Sequence, residues 1–481
     1  MPRATVAWLP LALLIAASAE GAPAEDLSRL LEDLEAMRVE MDVPALALTL
    51  ADNEGTIWAG AMGVADRASG KPADATTMFR IGSVTKLFTA LALLIAEEDR
   101  VLALDMPLRE VVPAAPFENH WEATHPLRIV HLLEHTAGLP DLTREEFDVQ
   151  VPMPLREALA WKAADRRTLW PPGLHHSYTN AGAGLAALAL ETATGTAYEN
   201  FVAQRIFAPL GMRSAGFRPD PETLAALATG YDTDGKTPIP YWHMLYRAFG
   251  AINLRPAEIA PLIALLLSRG TYRGQRLLDE TSVVRMEQPR TTLAARAGLK
   301  YGYGLGNYTW LHRGLLFHGH GGDGDGYLAR LGYSPTARRG YFIVINVFRN
   351  ADLRRLQRRV EDYIAGDAAI PEPPPFDVPA EALSGIAGNY EAAAWRFARP
   401  EDVALRIEIE RGGIFVRRGN ARRRLIPVSE ALFRYERETV ATCAIVAHDG
   451  RTYFQDEDGS YVRVADTAAS IEWSPGHQDD R

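Results

Sequence analysis

Between residues 369 and 379 the chain carries five prolines, Pro371, Pro373, Pro374, Pro375 and Pro379. Proline locks φ and donates no backbone hydrogen bond, so neither a helix nor an inner strand continues through such a run. It reads as a stiff interdomain linker over residues 366–379, and it divides the 481 residues into two parts of different period. Upstream, over 26–365, helical runs alternate with short strand candidates. Downstream, Val403, Leu405, Ile407 and Ile409 alternate with polar residues, Gly412-Gly413 turns the chain, and Ile414 and Val416 resume the period of two. Asp449-Gly450 marks a second hairpin before Tyr453-Phe454. A small antiparallel β domain, a barrel or curled sheet, is therefore expected over 380–465. The polar tail at 466–481 is expected to be disordered.

The N-terminus combines Arg3, an apolar stretch over 4–17 and the small-residue exit Ala17-Ser18-Ala19. That is the pattern of a secretory signal peptide covering 1–19, with cleavage as late as about residue 24. The apolar run falls short of the roughly 20 residues that span a bilayer, so the mature chain is expected to have no stable membrane span and a periplasmic or secreted location. Cys443 is the single cysteine, which excludes an internal disulfide, and its strand-like surroundings suggest a core position. A net charge of −10 argues against nucleic acid or an anionic membrane surface as a partner. Arg417, Arg418, Arg422, Arg423 and Arg424 accordingly read as a solvated hairpin. Oligomeric state leaves no readable trace.

Chemistry concentrates in three short motifs. Ser83-Val84-Thr85-Lys86 is a Ser-x-x-Lys pair in a chain with only five lysines and fourteen serines, for which chance supplies roughly 0.15 matches. An apolar, breaker-free run over 87–98 follows, which puts Ser83 at a helix N-terminus. A spacing of three places Ser83 and Lys86 on one face of the first turn, and an alcohol becomes a useful nucleophile only beside such a base. Tyr178-Thr179-Asn180 follows Pro171-Pro172-Gly173, a forced loop, and precedes a small-residue helix over 181–193. A neighbouring ammonium would ease loss of the Tyr178 proton. His320-Gly321-Gly322-Asp323 lies in a glycine-rich strand region whose main-chain N–H groups could serve as oxyanion donors.

Rival readings are weaker. His175, His176, His318 and His320 lack helical ligand spacing; His131 and His135 have it but lack the glutamate of a zinc-protease helix. Asp323-x-Asp325 lacks the rest of a calcium loop, and Gly302-x-Gly304-x-Gly306 has the wrong spacing for a dinucleotide. No metal and no cofactor are expected.

With these motifs in their order, the chain resembles the serine beta-lactamase-related family, which includes class C beta-lactamases, D-alanyl-D-alanine carboxypeptidases, D-aminopeptidases and family VIII esterases. His135-Thr136-Ala137-Gly138-Leu139 resembles its His-Thr-Ser-Gly-Leu loop, Pro209-Leu210-Gly211-Met212 its Pro-Leu-Gly-Met segment, and Tyr301-Gly302-Tyr303-Gly304 its Tyr-Gly-x-Gly strand. The resemblance covers residues 26–365. It implies an α+β fold of the beta-lactamase/transpeptidase type, an antiparallel sheet packed between helices with an all-helical lobe. It further implies Ser83 as acylated nucleophile, Lys86 as its base and Tyr178 as a proton shuttle, with the first proton acceptor left open between the last two. Asn180, His320, Gly321 and Gly322 would bind substrate, and the N–H groups of Ser83 and Asp323 would form the oxyanion hole. The β domain loosely resembles lipocalin-like modules behind some relatives.

One position departs from the beta-lactamase pattern. His320 stands where Lys-Thr-Gly has lysine, and a mostly neutral imidazole anchors a beta-lactam carboxylate weakly. Hydrolysis of esters or of D-amino-acid amides and peptides is the favoured expectation, with a small-molecule or peptide substrate. The alternatives are a beta-lactamase, a penicillin-binding sensor without useful turnover, and an acyl transferase or peptide cyclase. Asp323 and Asp325 read first as a polar loop, with tolerance for an amine-bearing substrate as the alternative.

Overall fold

The computed structural model describes residues 27–147, 149–367, 369–378, 385–397, 404–410 and 413–465. The expected signal peptide and the polar tail lie outside these residues. The strand Ala45–Asp52 explains the main architecture. Its side chains alternate between two faces, and both are buried. Leu46, Leu48 and Leu50 lie opposite Ile345, Ile343 and Tyr341 of the antiparallel strand Arg339–Ile345. They pack beneath the helices Leu27–Glu40 and Asn350–Ala365. The second helix presents Leu353, Leu356, Val360 and Ile364 to this layer, one stripe at helical spacing. On the other face Ala45 and Ala47 join Phe342 and Val344 against the larger helical layer that includes Thr85–Glu98 and Ala260–Leu267. Burial of each large aliphatic side chain here contributes about 1.5–3 kcal/mol.

The sheet has seven antiparallel strands, in the order Tyr308–His312, Leu315–Gly324, Tyr327–Ser334, Arg339–Ile345, Ala45–Asp52, Thr56–Asp66 and Lys71–Pro72. The helical lobe is built around Ala181–Thr194, whose first ten residues are all buried. Small side chains let neighbouring elements approach it from every side. The segment from Tyr301 to Gly306, expected as a strand, is instead an irregular loop, and extended structure begins at Tyr308. Gly306 has φ +57°, and a Cβ there would lie 2.4 Å from the Lys86 carbonyl oxygen. Gly306 thus serves close packing on the Ser83 helix, and Gly304, where a Cβ would lie 2.1 Å from the Met286 carbonyl oxygen, serves close packing on the next segment.

Beyond the linker the chain closes into an eight-stranded antiparallel barrel, with Gly388–Ala392 pairing both Leu405–Glu410 and Gly459–Arg463. Side chains including Tyr390, Phe433, Cys443 and Phe454 fill it. The five clustered arginines each meet a carboxylate: Arg417 and Arg422 pair with Glu408, Arg418 with Asp456, Arg423 with Glu438 and Arg424 with Glu436. That charge balance is what a solvated, ion-paired hairpin surface requires. The linker lies against the barrel, where Arg434 holds Glu372 at 2.8 Å and the Pro373 carbonyl at 3.1 Å. The barrel in turn packs Ala444 onto Ala294, Leu299 and Tyr301 of the larger part. Among the described residues, no helix is long and apolar enough to cross a membrane.

Candidate active site

The turn Gly82–Val84 and the helix Thr85–Glu98 place Ser83, half-buried, where the sheet meets the helical lobe. Two glycines make this meeting possible. A Cβ on Gly322 would sit 1.9 Å from the Ile81 carbonyl oxygen and 3.2 Å from the Ser83 nitrogen, and one on Gly82 would sit 3.0 Å from the Asp323 nitrogen. Any side chain at either position would push strand and turn apart. The main-chain nitrogens of Ser83 and Asp323 therefore border one small space beside the Ser83 hydroxyl.

Lys86 reaches Ser83 Oγ at 3.0 Å, and the same Nζ lies 2.7 Å from Asn180 Oδ1 and 2.9 Å from the Phe249 carbonyl oxygen. Both latter atoms are pure acceptors. Nζ can donate to both, and its third direction lies on Ser83 Oγ. Burial holds the Lys86 pKa well below 10.5, Asp141 opposes that shift, and Arg396 adds to it. Tyr178 hydrogen-bonds Ser83 as well, and its ring faces Lys86 Nζ at 4.8 Å. Burial pushes the phenol up, against the lowering by the Ser83 hydrogen bond and Arg396, so Tyr178 does not ionise more easily beside Lys86 and stays protonated, available as a donor.

The Tyr178 loop is bracketed by His135. Ser177 N donates to the His135 carbonyl at 2.8 Å and Thr179 N to its Nδ1 at 3.2 Å, with the ring centroids of His135 and Tyr178 4.1 Å apart. His135 itself has φ +54°, the left-handed region that a non-glycine residue adopts only under constraint. Next to it, fully buried Glu134 is paired with Arg285 and accepts from Thr291 N at 2.9 Å and Thr291 Oγ1 at 2.6 Å. Glu134→Ala is expected to cost about 3–5 kcal/mol, because Arg285 loses its buried partner; chemical denaturation measures it.

His320 lies in the site but turned inward. Nδ1 donates to the Gly321 carbonyl at 2.5 Å, so Nε2 accepts from the Tyr303 hydroxyl at 2.7 Å. Burial lowers its pKa to about 3, so the ring is neutral at pH 7 and both nitrogens are engaged within the protein. Asp323 pairs with Arg330 at 2.6 Å, which offsets the charge that an amine-bearing substrate would meet. Among the described residues, no cluster of three or more His, Cys, Asp or Glu side chains is placed to hold a metal ion.

The structure thus gathers Lys86, Tyr178, Asn180, His320, Gly321, Gly322 and Asp323 around Ser83. Sequence reasoning missed Phe249, Asp141, Tyr303 and Arg396. Asp141 had one available signal, since it directly follows the Gly138-Leu139-Pro140 loop. Tyr303 sits in the Tyr301-Gly302-Tyr303-Gly304 motif, whereas Phe249 and Arg396 arrive from distant segments with no motif.

The antiparallel sheet packed between helices, with its helical lobe, is the beta-lactamase and transpeptidase fold, and the barrel is appended to it. A family model described as Beta-lactamase matches residues 29–365, and the chain belongs to that family of serine hydrolases. It is 26% identical over 383 residues to penicillin-binding protein 4 of Amycolatopsis lactamdurans, covering 75% of this chain and 96% of that one. It is also 26% identical over 291 residues to a D-aminopeptidase of Cereibacter sphaeroides, covering 60% of this chain and 53% of that protein. An octameric penicillin-binding protein homologue from Pyrococcus abyssi superposes with a TM-score of 0.59 at 19% identity, over 91% of this chain and all (100%) of that one.

Proposed function

We propose that the chain is an exported, periplasmic or secreted serine hydrolase that acts through an acyl-enzyme on esters or D-amino-acid amides and peptides. The single observation that carries this reading is Lys86 Nζ, held by two carbonyl acceptors with its remaining hydrogen-bonding direction on Ser83 Oγ. In acylation Ser83 Oγ bonds to the substrate carbonyl carbon and its proton passes to Lys86. The Ser83 and Asp323 N–H groups hold the oxyanion. As the bond to the leaving group breaks, the Tyr178 hydroxyl gives that group a proton and recovers the one that Lys86 took from Ser83. Water then cleaves the ester along the reverse path.

Preference for esters and D-amides over beta-lactams rests on the neutral His320, which offers no cation to a carboxylate, and accords with the D-aminopeptidase relative. A panel of a chromogenic cephalosporin, p-nitrophenyl butyrate and D-alanyl-p-nitroanilide tests it. The latter two should turn over at least about tenfold faster, and Ser83→Ala should abolish all turnover. Faster cephalosporin hydrolysis would overturn the preference, and an active Ser83→Ala the whole reading.

A further inference from the structure

The barrel sends one segment into the cleft. Residues 393–397, which follow the strand Gly388–Ala392, lie against the wall that carries Tyr178. The Trp395 carbonyl accepts from Ser177 Oγ at 3.0 Å, and its ring meets Trp170 edge-on at 5.2 Å. Arg396 then turns inward. Its guanidinium lies 4.7 Å from the centroid of the Tyr178 ring and 4.7 Å from that of Phe397. Nε and Nη2 both reach Asp141 Oδ2 at 2.7 Å.

Asp141 distinguishes this pair from an ordinary docking salt bridge, because its side chain is 0% exposed. Its Oδ1 accepts from Asn180 N at 2.7 Å and its Oδ2 from Asn180 Nδ2 at 3.3 Å. Asn180 Oδ1 holds Lys86, which meets Ser83. An unbroken line of contacts therefore runs from barrel to nucleophile. We propose that the barrel is a working part of the active site and that Arg396 is a positioning residue, fixing Asp141 and, through it, Asn180 against Lys86.

The physical consequence concerns charge. The charged or titratable groups facing Lys86 are Asp141, Arg396 and Asp323, with Tyr178, His135 and His320 neutral around them. Without the guanidinium, Asp141 becomes an uncompensated buried anion one residue from Lys86. It would stabilise the ammonium, which cannot accept the Ser83 proton. This inference rests on the serine-hydrolase reading, so its test uses a probe that needs no natural substrate.

Labelling of Ser83 by a fluorophosphonate, followed by intact mass on the full chain from about pH 6 to about pH 9, reads the nucleophile directly. Arg396→Met should slow labelling at least about tenfold at neutral pH and move the acid limb up by about one pH unit. Arg396→Lys should restore most of the rate. Adding Asp141→Asn to Arg396→Met should abolish the upward move, because the buried anion is gone. An unchanged rate and pH profile in Arg396→Met, or a slowing uniform across pH, would overturn the proposal. Should Arg396→Met fail to fold, the charge-balanced double variant and Arg396→Lys carry the same comparison. A wild-type chain that is not labelled at Ser83 brings down the hydrolase reading and this inference together; labelled wild type with indifferent Arg396 variants removes this inference alone.

Discussion

Lys86→Met is expected to lower kcat/KM toward p-nitrophenyl butyrate by about 10²- to 10⁴-fold, the range that removal of a positioned general base produces. The side chains are similar in length and methionine tolerates burial, so the helix Thr85–Glu98 keeps its packing. What disappears is the amine at 3.0 Å from Ser83 Oγ. In the wild type the rate should rise with pH as Lys86 loses its proton. Because burial depresses that pKa, the rise falls below the 10.5 of a free lysine. In Lys86→Met this acid limb should vanish along with the rate. A loss smaller than about tenfold, with near-native thermal stability, would assign the base to another group.

Acid lability is the second large effect. His131, His175 and His320 are all buried, and their pKa values are lowered to about 3, about 4 and about 3, burial being the first cause in each. In the unfolded chain they titrate near 6.5. Below that pH the unfolded state binds protons the folded state refuses, so stability is full above about pH 6.5 and falls as pH drops toward the folded values. At pH 5 each histidine has lost roughly 1.5 pH units of linkage, about 2 kcal/mol apiece and about 6 kcal/mol together. Total stabilities of about 5–15 kcal/mol make that decisive. The midpoint of thermal unfolding should drop by roughly 10 °C between pH 7 and pH 5, as followed by circular dichroism. His131→Asn, which keeps an acceptor for Arg128 N, should flatten the slope by about one proton. A midpoint that does not move between these pH values would rule the account out.

Much of this architecture is local in origin and so was legible. Proline density announced the linker, strict alternation announced the barrel strands, and a spacing of three put Lys86 over Ser83 within a single turn. Groups that act across the fold were hidden. Phe249 contributes only a carbonyl, which no side-chain pattern records, and Arg396 is 255 residues from Asp141. The ionisation of Tyr178 was misjudged for a related reason. Proximity to lysine can be read from motifs, whereas desolvation depends on what every other segment places around the ring. His320 repeats the lesson, since its substitution for lysine was visible and its lock by Tyr303 was not.

The strand Tyr308–His312 closes one side of the seven-stranded sheet, and open sheet edges invite pairing with other chains. Here Thr309 N donates to the Gly302 carbonyl at 3.0 Å, and Thr439 Oγ1 from the barrel donates to the Gly314 carbonyl at 2.6 Å in the adjoining turn. Leu311 and Leu316 meet Val440 and Ala441 in the same apolar patch. The barrel thus packs beside the sheet's border, and a chain stopped after Ala365 is expected to expose that apolar patch, and so to aggregate more readily, as well as losing Arg396.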